Sequence, residues 1–449
     1  MENAFKASMY NYITYDNNEN LLLYNSYSGI IAKSARDKDT ILNLLQNPNN
    51  AESKEQNGIF LKLLEFGYIV PEFEDEVAKV DLSHMDKVMG NNLSLGILPT
   101  EDCNFRCTYC YESFKEGKMS EDTQQGIISF VQKNISKYGN LAVEWFGGEP
   151  LEAVDVIFNL SKAFIDICHK WHKIYSAGVI SNGYNLRFNI FKELLKCRVN
   201  FFQVTLDGLK ESHDKQKALK GGGPTFDVVI DNLRKIRDLS RSCTFIVSVR
   251  TNVSAGMYDK MPEYMKFVKE EFGNDERFRF FLRPVGDWGG EAVKHMSGQL
   301  IDKNSFDSVY DKVMETGEKV NFNTYHHFLR PGGSMCGAAL RNNYLIGTDG
   351  RVMKCTMHLD HEMNTIGQIT PDGKMTLDNA RLAKWVARFS NIRQACKKCF
   401  FRPACNASSC PAKGVLSDED YSCPYEKNSL DNTLKLISQS DAYVNDLDK

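Results

Sequence analysis

No apolar run in the 449 residues approaches the roughly 20 that a membrane-spanning helix needs, and Met1 to Tyr10 has neither the basic start nor the apolar core of a secretion signal. The expectation is a soluble, cytoplasmic protein with no membrane partner. An excess of one charge is also missing. With 55 Lys and Arg against 58 Asp and Glu, a formal net charge of -3 and a pI near 6.3, there is no electrostatic footprint for nucleic acid. Nor is there a disulfide framework: the 13 cysteines are odd in number and crowd after Cys336, which in a reducing compartment argues for metal ligands. The length is enough for a large core and two or three domains.

What is present is a cysteine motif. Cys103, Cys107 and Cys110 stand at C-x3-C-x2-C spacing directly after the apolar run Leu93 to Leu98, which gathers three thiolates at the mouth of a strand. A cubane iron-sulfur cluster takes four ligands, and the next cysteine is the distant Cys168, so one iron would stay open to a small molecule. A zinc knuckle completed by a distant histidine would use the same spacing.

From about Asn91 to Gly286, apolar runs alternate with amphipathic helical patterns, as in repeated beta-alpha units. The candidate strands are Leu93 to Leu98, Leu141 to Phe146, Ala177 to Ser181, Phe201 to Leu206, Phe245 to Thr251 and Phe278 to Pro284. Six units make a partial (β/α)6 TIM-like barrel, whose active site would lie at the C-terminal strand ends. Ahead of it, Tyr10 to Tyr15 and Leu21 to Tyr24 read as a hairpin around Asp16 to Asn20. Two helical patterns follow, over Ile41 to Leu45 and Ile59 to Leu64, and Gly67 to Pro71 ends the second. The acidic run Glu72 to Asp81 reads as a linker. Gly221-Gly222-Gly223-Pro224 lacks the Lys-Ser/Thr of a phosphate loop and reads as a flexible loop, while Cys168, Cys197 and Cys243 read as small buried residues.

The cysteine motif, with the aromatic Tyr109 before its last cysteine, resembles the signature of the radical S-adenosylmethionine (radical SAM) enzymes. The resemblance implies a 4Fe-4S cluster on Cys103, Cys107 and Cys110 that chelates S-adenosyl-L-methionine. Its cleavage gives a 5'-deoxyadenosyl radical that takes a hydrogen atom from the substrate. Further contacts to S-adenosylmethionine are implied residue by residue. Gly147-Gly148-Glu149-Pro150 matches the segment at the methionyl amino group, Ser181-Asn182 the polar turn near the ribose, and Thr205 the serine at the methionyl carboxylate, where Arg250 would pair as well.

A second cysteine field resembles the SPASM extension, which carries two auxiliary 4Fe-4S clusters and brings the implied total to three. Cys396, Cys399, Cys405 and Cys423 would fully ligate the outer cluster, whereas Cys336, Cys355 and Cys410 supply only three ligands to the inner one. Four residues separate Cys405 from Cys410 where the family usually has three, and a pair of zinc sites using His358 or His361 is the alternative. Some SPASM enzymes place another cysteine six residues after the position of Cys336; here Asn342 stands there. The N-terminal stretch resembles a winged-helix peptide-recognition module, which binds a leader peptide by strand addition.

The expected organisation is therefore an α/β chain: a winged-helix-like module at 1-80, the partial barrel at 91-290, a bridging segment at 291-335 and the SPASM extension at 336-449. The expected activity is thioether cross-linking, cysteine sulfur to carbon, in a ribosomally made precursor peptide, with a flavodoxin or ferredoxin as electron donor. Carbon-carbon cross-linking is one alternative. Formylglycine formation, as in anaerobic sulfatase maturases, is another, although those enzymes carry an aspartate where Thr356 follows Cys355.

Overall fold

The first strands follow from turn chemistry. In the computed structural model, which describes residues 4-50, 54-115, 117-287, 289-296, 298-301, 307-316, 320-387, 392-417 and 423-448, the short β1 (Phe5–Ala7) is followed by β2 (Asn11–Tyr15) and β3 (Leu21–Asn25). These last two pair antiparallel, and the Asp16 carboxylate closes their turn by accepting from the N–H groups of Asn18 and Asn20. β4 (Ile30–Ser34) continues the meander. Helices α1 (Lys38–Gln46) and α2 (Lys54–Glu65) lay Ile41, Leu44, Ile59 and Leu63 against Leu21, Leu23 and Ala32. β5 (Ile69–Pro71) then pairs antiparallel with β1.

The acidic run read as a linker is instead largely helical. Asp75 caps α3 (Glu76–Val88) by accepting from Ala78 N, and Val80, His84 and Val88 recur at helical spacing on its buried face. Three inward residues outweigh the charge of the run.

The chain divides into two compact units: 1-89 with 322-339 and 386-449, and 90-321 with 340-385. In the first unit the N-terminal stretch shares its core with the late sequence. Leu447 lies in the same apolar cluster as Leu21 and Leu23, and Asn445–Asp446 pairs in parallel with β4. The Tyr24 hydroxyl donates to Leu329 O, and Arg402, 1% exposed, is ion-paired with Asp81.

In the second unit the six candidate runs become strands whose ends lie within two residues of the reading: β6 (Leu93–Ile97), β8 (Leu141–Trp145), β9 (Tyr175–Ser181), β10 (Val199–Thr205), β12 (Ile246–Val253) and β13 (Phe278–Pro284). They lie side by side in chain order, all parallel. The intervening helices are α4 (Glu121–Asn134), α5 (Val154–Lys170), α6 (Phe188–Lys196), α7 (Lys210–Gln216), α8 (Phe226–Arg237) and α9 (Met261–Phe272). Ser120 caps α4 by accepting from Thr123 N.

The sheet does not stop at six strands. β14 (Asn343–Ile346) adds in parallel to β6, and β15 (Arg351–Met353), β16 (Thr365–Ile369) and β17 (Met375–Leu377) extend it antiparallel to ten. Gly96 admits this neighbour, since a Cβ there would come within 2.7 Å of the Leu345 side chain. Outside the sheet, β7 (Phe105–Cys107) and β11 (Lys217–Leu219) form a two-stranded antiparallel ribbon.

Candidate active site at the C-terminal strand edge

The cysteine loop leaves the C-terminal end of β6. Cys103 precedes β7, Cys107 closes it and Cys110 follows in the turn, where Cys110 N donates to Cys107 O. Burial pushes all three thiols above the ordinary thiol range, Cys110 to about 12, and the neighbouring cysteines add to the rise at Cys103 and Cys110. The three sulfurs thus share one low-dielectric pocket, which must supply compensating charge if they are to ionise.

Two features hold this loop in place. The turn after β8 is packed against its backbone: Gly148 N and Glu149 N donate to Thr100 O and Asp102 O, at 3.3 and 2.9 Å. A Cβ on Gly147, whose φ is +123°, would come within 2.3 Å of Thr100 O, and one on Gly148 within 2.1 Å of Asp102 O. The two glycines therefore make room for the cysteine loop. Substituting Gly148 by alanine should displace Cys103 and cut S-adenosylmethionine cleavage on the order of a hundredfold, as misplacement of a reacting centre by about 1 Å commonly does; 5'-deoxyadenosine release measured by chromatography checks it.

The second feature is Glu149, fully buried, which accepts from Leu151 N (3.0 Å), Ser181 Oγ (2.8 Å) and Asn182 N (2.7 Å). Burial lifts its pKa to about 7 in spite of these donors. Asn182 in turn donates through Nδ2 to Asn104 Oδ1 at 2.7 Å and lies 3.9 Å from Cys103 Sγ. Glu149, Ser181 and Asn182 thus bind one another and the cysteine loop, with the N–H groups of Leu151, Gly183 and Tyr184 as further donors to them. Pro150 opens the short 3-10 helix after them.

Thr205 and Arg250 end up as register neighbours on β10 and β12. The Arg250 Nε donates to Asn252 Oδ1 at 2.9 Å, and burial together with nearby Arg283 lowers its pKa. A hydroxyl and a guanidinium side by side at the strand ends are a suitable donor set for a carboxylate.

The sequence reading missed the group that faces the sulfurs. Lys217 is opposite Cys107 in the β7-β11 ribbon, is 4% exposed, and brings its Nζ to 3.7 Å from Cys107 Sγ and 3.4 Å from the Tyr109 hydroxyl. Burial pulls its pKa down, but Cys107 and Asp207 outweigh this and hold the ammonium above its ordinary value. The Tyr109 hydroxyl donates to Asp207 Oδ2 and accepts from Asn252 Nδ2 at 3.1 Å, and Asn252 N donates to Asp207 Oδ1 at 2.8 Å. The available signal was the run His213-Asp214-Lys215-Gln216-Lys217 after the Asp207-Gly208 turn.

A further network ties the loop to the β14-β15 turn. Buried Glu101 accepts from Thr348 Oγ1 at 2.8 Å and pairs with Arg351 at 2.5 Å. Beyond β15, Cys355 is buried, and the buried Asn364 binds Cys355 N and O as well as His358 O.

In the first unit, burial raises the Cys405 thiol to about 12, with Cys399, Cys396 and Cys423 close enough to raise it further. The Lys427 ammonium lies 3.4 Å from Cys423 Sγ and also reaches Cys399. The additional residue between Cys405 and Cys410 is taken up by left-handed backbone at Asn406 (φ +48°) and Ala407 (φ +54°), and Cys336 N donates to Ser408 O in the same loop. Of the cysteines read as inner-cluster ligands, Cys336 and Cys410 lie in this unit and Cys355 in the other.

Among the described residues no three His, Cys, Asp or Glu side chains converge to hold a single ion. A cluster spreads its thiolates over several irons, and the Cys103-Cys107-Cys110 loop, with Lys217 and Asn182 facing its sulfurs, fits that demand.

Residues 97-255 match the model of the Radical SAM superfamily. The chain is 24% identical over 348 residues to the cysteine-type anaerobic sulfatase-maturating enzyme of Clostridium novyi, covering 70% of this chain and 87% of that one. To Fe-coproporphyrin III synthase of Methanosarcina barkeri it is 24% identical over 224 residues, 49% of this chain, and so spans about half (51%) of that protein's length. Among solved structures it is similar to native anSMEcpe with bound AdoMet and Cp18Cys peptide, with a TM-score of 0.58 and 16% identity over 78% of this chain and 97% of that one. No helix among the described residues is long and apolar enough to cross a membrane.

Proposed function

We propose that this chain, which carries a radical SAM domain, is a peptide maturase that installs thioether cross-links in a ribosomally made precursor. The observation that carries the proposal is the loop of three cysteines, one buried and two half-buried, at the C-terminal edge of the parallel sheet, with no fourth cysteine on the loop. When bound, the cluster would supply one electron to S-adenosylmethionine and so generate the hydrogen-abstracting radical. The residues present would do the rest: Thr205 and Arg250 orient the methionyl carboxylate, Gly147 and Gly148 hold the loop close, and Tyr109 fixes the loop to Asp207 and Asn252. A peptide substrate is supported by the relatives, one named as a sulfatase-maturating enzyme and another solved with a peptide bound. Formylglycine formation is less well supported, because Thr356 takes the place of the aspartate those enzymes carry after the residue equivalent to Cys355. Reduced, reconstituted protein incubated with S-adenosylmethionine and candidate precursor peptides should release 5'-deoxyadenosine and peptide lighter by two hydrogens per cross-link. Unmodified peptide in the presence of 5'-deoxyadenosine would separate the cofactor chemistry from the choice of substrate.

The leader would pair with the N-terminal sheet. Its β4 side is covered by the two-residue strand Asn445–Asp446, so among the described residues the longer open edge is β2. Hydrogen bonds from Ser26 N to Tyr10 O and from Asp16 N to Asn20 O put the even-numbered residues of β2 in bonded pairs, so the Ile13 N–H points outward. Proline is tolerated at such an edge position but removes the donor an added strand needs. Ile13→Pro should weaken leader binding about tenfold, for about 1.4 kcal/mol, and leave peptide-independent cleavage of S-adenosylmethionine unchanged. Fluorescence anisotropy with labelled leader checks it. Deleting the whole stretch is a poorer test, since the core around Leu447 and Arg402 would go with it.

A further inference from the structure

Lys217 sits where a cation is costly. Its side chain is 4% exposed, and among the described residues no carboxylate oxygen lies within ion-pair distance of the Nζ. Its polar neighbours are the Cys107 sulfur and the Tyr109 hydroxyl, with the rings of Phe105 and Tyr109 at 5.7 and 5.8 Å. A buried ammonium without a counter-ion is unfavourable, so the site is built for negative charge at the sulfurs. The position is also fixed by the backbone. Lys217 and Cys107 are opposite each other in the ribbon, Thr108 N donates to Gln216 O, and the Lys217 carbonyl accepts from Thr225 Oγ1 at 2.6 Å. The nearest anionic group in the network, Asp207, is kept one step away, behind the Tyr109 hydroxyl that donates to it. His213, buried next to Asp207, adds no second cation, since burial and the Lys217 charge drive its pKa down to about 3.

We infer that Lys217 is a positioning residue that sets the reduction potential of the cluster on Cys103, Cys107 and Cys110, by donating an N–H···S hydrogen bond to Cys107 and placing a fixed positive charge beside it. Hydrogen bonds to the sulfurs and local net charge are two of the levers on such a potential, and both stabilise the reduced form, which carries one more negative charge. Asp207 works against this, and Tyr109 sets the distance between the two charges. The inference rests on the reading that these cysteines hold a cluster, and it goes beyond that reading in assigning the tuning to one side chain.

The test is a potentiometric titration, followed by electron paramagnetic resonance, of the reduced-cluster signal that changes when S-adenosylmethionine is added. Iron content is measured alongside. Lys217→Met should move that midpoint to a more negative potential at unchanged iron, and Lys217→Arg should restore most of the shift. Asp207→Asn, which leaves the ammonium without its opposing charge, should move the midpoint the other way and stands as the test if Lys217→Met does not take up iron. An unchanged midpoint in a variant that keeps its iron would overturn the inference. Wild-type protein without an S-adenosylmethionine-responsive cluster signal would overturn the cluster reading beneath it.

Discussion

Replacing Cys103, Cys107 and Cys110 together by alanine should abolish cleavage of S-adenosylmethionine and lower the iron of the reconstituted protein from about 12 to about 8 atoms per chain, the content of one cubane. Complete loss is expected because the three thiols sit on one short loop. Cys107 is on the ribbon, Cys103 lies against Asn182, and Cys110 follows in the next turn. The remaining iron should persist, since none of its proposed ligands is on this loop: Cys336, Cys396, Cys399, Cys405, Cys410 and Cys423 belong to the other compact unit, and Cys355 follows β15. The replacement also removes the sulfur next to Lys217, whose buried ammonium then faces only the Tyr109 hydroxyl, so some loss of stability should accompany the loss of iron. Iron and acid-labile sulfide assays, with 5'-deoxyadenosine measured under dithionite, give the result. Retained cleavage, or stoichiometric zinc with little iron in the wild type, would defeat the assignment.

The parts of the protein that read easily from sequence are those where a local pattern matches a local structure. Six strands fell within two residues of their apolar runs, because each is a short, β-rich stretch buried between amphipathic helices. The cysteine loop announced itself through spacing. Three things did not read. α3 was hidden by its charge, although Val80, His84 and Val88 recur at helical spacing on the buried face. β14 to β17 gave no signal, since β14 joins the sheet beside β6 from far along the chain, and long-range pairing is invisible to periodicity. Lys217 was hidden for a similar reason: a lysine in a polar run looks like a solvated charge until the ribbon places it opposite Cys107. The packing of Gly147 and Gly148 against the backbone at Thr100 and Asp102 is likewise a long-range contact that the turn sequence alone does not show.

Substituting Asn342 by cysteine should suppress peptide cross-linking on the order of a hundredfold while leaving cleavage of S-adenosylmethionine within about twofold of wild type, about 2.7 kcal/mol against less than about 0.5. Cys336, Cys355 and Cys410 offer three thiolates to the proposed inner auxiliary cluster, and some SPASM enzymes complete it with a cysteine six residues after the position of Cys336, where this chain has Asn342. Here the Asn342 side chain is engaged elsewhere, donating through Nδ2 to Gly90 O at 2.9 Å. We propose that the open fourth position binds the thiol of a substrate cysteine, and a cysteine at 342 would close it. Forming the thioether removes two hydrogens from the peptide: the carbon-bound hydrogen leaves as an atom to the deoxyadenosyl group, and the thiol hydrogen leaves as a proton. One electron is left over, for which an auxiliary cluster, if held by the second cysteine field, would be the acceptor. Mass spectrometry should therefore find wild-type product lighter by two hydrogens per cross-link, with one cysteine that no longer alkylates. Asn342→Ala controls for the hydrogen bond to Gly90, worth about 1 kcal/mol, and should keep most of the cross-linking. Undiminished cross-linking by Asn342→Cys would argue against an open ligand position. A product in which every substrate cysteine still alkylates would move the reaction to carbon-carbon bond formation without touching the radical chemistry.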